Sequence, residues 1–143
     1  RMIDGERFAA LEWLERLRSV EFRATGSNAP GLSRQRLAHV LESRRLRKLS
    51  RLALVGQRLG DEGLSLLAEQ GGAALPGLES LLVENDAITA RAPESHRPQG
   101  LEALLSSRSL SQLTSLDLEG NALGAAGRKR LRARFEVLEL CFH

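Results

Sequence analysis

Three histidines, one cysteine and two runs of cations are the side chains of this 143-residue chain most suited to chemistry. Cys141-Phe142-His143 sets a thiol two residues from an imidazole, the pairing a nucleophile and its base would need. Residues two apart on a terminal strand do not by themselves make a site, because a reactive thiol needs a lowered pKa in a shaped pocket. His39 and His96 stand apart from that pair and from each other. No cluster has metal-ligand spacing, and no glycine-rich loop is built to cradle a phosphate. The sequence therefore predicts no catalytic centre, no metal and no cofactor, and the chain reads as something other than an enzyme.

The cations form two clusters. Arg44, Arg45, Arg47, Lys48 and Arg51 follow one helical stretch, and Arg128, Lys129, Arg130, Arg132 and Arg134 lie along another. Such clusters can neutralise phosphates. Cations near helix C-termini are also favoured locally by the helix dipole, and alternation with Leu131 and Phe135 reads as an amphipathic helix. No aromatic platform for stacking bases accompanies them. Nucleic acid or an anionic surface is therefore kept only as an alternative partner. The net charge of +3 bears on solubility without naming a partner.

What must position these residues is a repeat. Leu17-x-x-Val20-x-Phe22, Leu49-x-x-Leu52-x-Leu54, Leu78-x-x-Leu81-x-Val83 and Leu113-x-x-Leu116-x-Leu118 share one pattern, and Phe135-x-x-Leu138-x-Leu140 is a weaker fifth copy. A polar residue follows each of the first four at a fixed offset: Thr25, Gln57, Asp86 and Asn121, each able to bond turn backbone. Leu59, Ile88 and Leu123 come two positions later, where the first copy has Ser27. A helical half follows, marked by Gly63 before Leu67, Gly100 before Leu104 and Gly127 before Leu131, with Ser33 before Leu37 in the first copy. Asp61 and Ser33 are the expected N-caps. Gly56 and Gly60, like Gly120 and Gly124, read as turn glycines. Apolar residues make up 42% of the chain but aromatic ones only 3%, so leucine and alanine must fill a thin, regular interior. A helical bundle would explain the leucine content but not the matched polar, apolar and glycine offsets.

Alternate strand residues share a face, so each strand offers one apolar row to its helices. One unit cannot bury that row alone, whereas stacked units can. The predicted fold is an α/β solenoid, a short arc of about four to five repeats with a parallel sheet on one side and helices on the other. It is expected to be a single domain over 1–143: an N-terminal helix or cap over 1–16 in which Trp13 covers the first repeat, four repeats over 17–134, and a terminal strand or partial cap over 135–143.

The segments "LSRLALVGQRLGDEGLSLLAE" and "LTSLDLEGNALGAAGRKRL" resemble leucine-rich repeats of the ribonuclease-inhibitor-like subtype. The resemblance runs from about Leu17 to Leu140, is strongest over 49–69 and 113–131, and is weakest before residue 33. Members of that family form curved horseshoes; for a chain this short the resemblance implies a shallow arc and not an enclosing horseshoe, with its parallel sheet on the concave side and helices on the convex side, and a recognition or scaffold role in binding another protein. Two departures stand out. The polar turn position is asparagine only at Asn121, and the third repeat is interrupted by residues 91–98, with Pro93 and Pro98 in the interruption.

In such an array the outward strand positions are the expected docking surface. The candidates are Glu21, Arg23, Arg51, Val55, Leu82, Glu84, Asp117, Glu119 and Glu139, mixed or basic at one end and acidic at the other, with Val55 and Leu82 as apolar anchors. Arg91, His96 and Arg97 decorate the interruption and form a candidate rim loop. The last strand offers an open edge for self-association or for contact with a segment outside this sequence. The Arg1-Met2 start suggests a piece of a longer protein, and a structural repeat segment of that protein is a further reading. A single cysteine, no secretory segment and no apolar run long enough to cross a bilayer point to the cytoplasm.

Overall fold

The computed structural model describes residues 11–24, 31–84, 100–107, 110, 112–134 and 139–141. It is an α/β structure. A 3-10 turn, Glu12–Arg16, leads into strand β1, Ser19–Arg23. Helix α1, Arg34–Glu42, then precedes β2, Arg51–Val55; α2, Gly60–Ala74, precedes β3, Ser80–Glu84; and α3, Gly100–Ser106, precedes β4, Ser115–Asp117. Helix α4, Gly124–Arg134, and strand β5, Glu139–Cys141, complete the order. The five strands form one parallel sheet in chain order. The helices follow the same order, α1 against α2, α2 against α3 and α3 against α4.

The register follows the leucine pattern through four strands. Val20, Leu52, Leu81 and Leu116 stand side by side, as do Phe22, Leu54 and Val83. These rows belong to one hydrophobic cluster with Leu37, Leu41, Leu64, Leu67, Leu104 and Leu131 of the helices. The sheet therefore turns one face to the helices and the other outward.

The same hydrogen bonds recur from unit to unit. The carbonyl of Arg18 accepts from the N–H groups of Ser50 and Arg51 at 2.8 and 3.0 Å, that of Ser50 from Glu79 and Ser80, and that of Glu79 from Thr114 and Ser115. Before each of the first four strands a tight turn is closed by Leu17 N–H to Leu14 O, Leu49 to Leu46, Leu78 to Leu75 and Leu113 to Leu110. Leu14, Leu46, Leu75 and Leu110 are all buried. Each unit thus begins three residues before the leucine that opens the sequence pattern, and Leu14, expected inside the cap, is part of the first one.

The polar turn positions act as expected where they are described. Gln57 is buried, its Nε2 donating to Val55 O at 3.0 Å and its Oε1 accepting from Leu32 N–H at 2.9 Å. Asn121 Nδ2 reaches Val83 O of the preceding strand at 2.7 Å and also Leu118 O and Glu119 O. Gly56, Gly60, Gly120 and Gly124 all have positive φ, the left-handed backbone that glycine adopts without penalty. Gly100 has another reason to be glycine. A Cβ there would stand 2.9 Å from both Asp61 O and Leu64 Cβ, so its hydrogen lets α3 approach α2 closely.

Three sequence expectations are corrected. Asp61 does not cap α2, which starts at Gly60 after Leu59 with no side-chain cap, and Asp61 lies inside the first turn. Ser33 does cap α1, its Oγ accepting from Arg36 N–H at 3.3 Å. Trp13 stays 48% exposed, and Leu14, fully buried, closes on the first unit in its place. The fifth copy is out of step: Leu116 pairs with Leu140 and not with Leu138. A shift of two residues preserves the alternation, so the apolar pattern cannot reveal it. Thr25, Asp86, Ile88, Phe135 and Leu138 lie outside the described residues.

Candidate functional site

Three rows cross the outward face. The first is Ser19, Arg51, Ser80 and Ser115, followed by Glu139 at the same register position of β5. The second is Glu21, Ala53, Leu82 and Asp117, followed by Cys141. The third is Arg23, Val55 and Glu84. Adjacent strands stand about 4.8 Å apart, so side chains along a row are neighbours.

The β1 end is exposed and internally paired, with Arg23 Nε 2.6 Å from Glu21 Oε1. Two of the candidates therefore largely neutralise each other. Such an exposed pair contributes little to stability. Arg51 is exposed beside them.

The apolar anchors behave differently from each other. Leu82 is half-buried, with part of its side chain still in solvent. Val55, expected to be exposed, is only 8% so, and its neighbour Ala53 is 2% exposed. Both are short side chains between longer ones, Val55 between Arg23 and Glu84 and Ala53 between Glu21 and Leu82. Outward placement on the pleat does not guarantee exposure when the flanking rows are taller. Val55 is therefore corrected from an anchor to part of the floor beneath them.

The acidic end gathers Glu84, Asp117 and Glu119, all half-exposed. Strand β4 stops at Asp117, so Glu119 lies in the turn beyond it and not on the strand. Asp117 Oδ1 accepts from Glu119 N–H at 3.0 Å, which fixes that turn and leaves its other oxygen. Glu139 stands two residues earlier in register than the fifth-copy spacing implies, opposite Ser115 and not Asp117. Arg91, His96 and Arg97 lie outside the described residues.

Sequence reading missed one grouping. Leu17 and Leu49 occupy equivalent positions, so Arg16 and Arg18 fall beside Lys48 and Ser50, and the first cation cluster is larger than its linear run. Aligning the flanks of the two leucines would have shown this. In the second cluster, Arg130 pairs with Glu102 of α3. The hydrogen bond from Arg130 holds the Glu102 carboxyl below its ordinary range, with the cation's attraction adding to it and slight burial opposing. Among the described residues no three His, Cys, Asp or Glu side chains gather as a metal-ion site, and no helix is long and apolar enough to cross a membrane.

The class these observations define is a repeat-like α/β protein with one sheet face turned away from its helices. Compared with known proteins, the chain matches no family model and no curated protein.

Proposed function

We propose that this chain is a short leucine-rich-repeat solenoid of the ribonuclease-inhibitor-like kind, and that it works in the cytoplasm by binding another protein through its outward sheet face, with no chemistry of its own. The observation that carries the reading is the outward centre of β3 and β4. There the half-exposed Leu82 stands directly beside Asp117, with Glu84 on the same strand. An apolar side chain rimmed by carboxylates suits a partner that offers an apolar contact surrounded by lysine or arginine. Charge complementarity would steer that partner into place, and the desolvated leucine would supply much of the energy.

The test is capture from the lysate of the source organism with the wild-type chain, beside a Glu84→Lys/Asp117→Lys/Glu119→Lys variant and a Leu82→Glu variant. Both variants must keep the wild-type circular dichroism. A protein held by the wild type and lost with both variants supports the reading. Equal retention by all three removes this face from the account.

A further inference from the structure

We propose that the end of the sheet from which β1 and β2 start is a second binding surface, one that takes single-stranded nucleic acid. The observation is a juxtaposition that only the fold creates. Glu15 Oε1 accepts from Arg45 Nη1 at 3.1 Å, tying the first 3-10 turn to the segment after α1. Arg18 O accepts from the N–H groups of Ser50 and Arg51. Residues 11–18 and 43–51 are thereby one surface. Together they carry seven cations, Arg16, Arg18, Arg44, Arg45, Arg47, Lys48 and Arg51, against two carboxylates, Glu12 and Glu15. The resulting excess of five exceeds the +3 of the whole chain, so the residues outside this surface are net negative in sum, although α4 carries a cation run of its own, with Arg130 paired to Glu102. Arg16, Arg18, Arg44, Arg47, Lys48 and Arg51 are all exposed. Glu42 and Glu79 flank the surface at the end of α1 and just before β3.

The ring that the linear sequence lacked beside these cations is Trp13. It sits in the same 3-10 turn as Glu15 and Arg16, and at 48% it is the one large apolar side chain exposed among the described residues. Guanidinium groups grip phosphate oxygens two at a time, and an exposed indole face stacks any base. A row of arginines with a ring on its flank matches the alternation of phosphate and base in a single strand. A lipid surface fits less well, because attachment there scales with the apolar area inserted, and one ring supplies little.

Trp13 is the only tryptophan and the chain has no tyrosine, so intrinsic emission reports this surface directly. The experiment titrates the full chain with a short deoxythymidine oligonucleotide, with heparin as a polyanion lacking bases, and with phosphatidylserine vesicles. Oligonucleotide binding is also followed by anisotropy of a labelled strand. Quenching of Trp13 by the oligonucleotide is expected, with log affinity falling against log salt at a slope of about −2 to −3.5, as three to five phosphate contacts require. Arg47→Glu/Lys48→Glu should weaken binding about tenfold or more at low salt, and Trp13→Leu about fivefold or more by anisotropy. Three results would overturn the proposal: no oligonucleotide binding at low salt, a Trp13 response to vesicles alone, or binding that survives Trp13→Leu unchanged with heparin quenching equally. None of these substitutions touches Leu82, Glu84, Asp117 or Glu119, so failure here leaves the protein-docking reading untouched.

Discussion

Leu116→Ala tests the arrangement of the sheet most directly when it is paired with Leu82→Ala. The two leucines lie on neighbouring strands, one residue out of phase, since Leu116 pairs with Leu81 while Leu82 pairs with Asp117. Leu116 is fully buried, and Leu81 and Leu118 beside it are each only 1% exposed. Truncation to alanine removes three carbons, worth about 2.4 kcal/mol at roughly 0.8 kcal/mol each. The cavity left behind adds to this, because strands held on both sides by backbone hydrogen bonds cannot close over it. The total should fall in the upper half of the range of about 2–5 kcal/mol seen for buried leucines. For a chain of this length each kcal/mol lowers the melting temperature by roughly 2–4 °C, so a loss of about 4 kcal/mol gives a drop of about 8–16 °C. Leu82, half in solvent, should cost less than about 1.5 kcal/mol. Urea denaturation followed by circular dichroism measures both, with the dependence on denaturant unchanged if the compact states are alike. Equal losses for the two variants would refute the division of the sheet into a helix-facing and an outward face.

Other outcomes follow from single contacts. Asn121→Ala strips three backbone carbonyls of their shared side-chain donor and should cost about 1–3 kcal/mol, read from the denaturation midpoint. Gly100→Ala pushes a methyl group to 2.9 Å from Asp61 O and should destabilise by about 1–3 kcal/mol by forcing α2 and α3 apart, despite alanine's better helix propensity. A gain in stability would show that the two helices have room to part. Glu102→Gln concerns pH. The Glu102 carboxyl is held down by Arg130, so its stabilising effect is complete above the unfolded value of about 4.3 and is lost as pH falls through the lower folded value. The gap between wild type and variant, small because the pair is largely exposed, should therefore be present at neutral pH and vanish in acid. A gap that widens in acid would reverse the sign.

Much of this fold is legible in the sequence because the repeat states it several times over. Leu52, Leu81 and Leu116 align from spacing alone, and Gln57 and Asn121 were chosen for the turn bonds they make. Leu14, Leu46, Leu75 and Leu110 recur as faithfully but do not stand out in the sequence. They serve a tight turn and not a strand, so they fall outside the two-residue alternation that defined the pattern. The register of the fifth strand is hidden for a related reason: its candidate apolar residues, two apart, satisfy the same alternation, and hydrogen bonding between backbones decides among them. Trp13 is expected to cover the first unit because it belongs to the N-terminal cap, but a 3-10 turn brings residues three apart onto one side, and there Leu14 and Leu17 turn inward.

The outward face was harder to read, because its geometry is set by the heights of neighbours and not by any one strand. Val55 alternates correctly and is still covered, since Arg23 and Glu84 stand beside it. Leu82 alternates in the same way and stays half-open, between Ala53 on one side and Asp117 on the other. Exposure at a sheet position is thus a property of three adjacent residues, two of them about 30 residues distant in sequence. The same rule bears on the acidic end. Asp117 gives one oxygen to the turn at Glu119, which holds that carboxylate in a fixed orientation. A carboxylate already fixed loses less freedom when a partner's cation meets it than a mobile one would. Leu82 and Asp117, neighbours across β3 and β4, therefore combine low ordering cost with an apolar contact. On this argument Asp117→Asn should weaken a basic partner more than Glu119→Gln does, and the reverse order in a binding titration would show that the turn bond does not prepare the site.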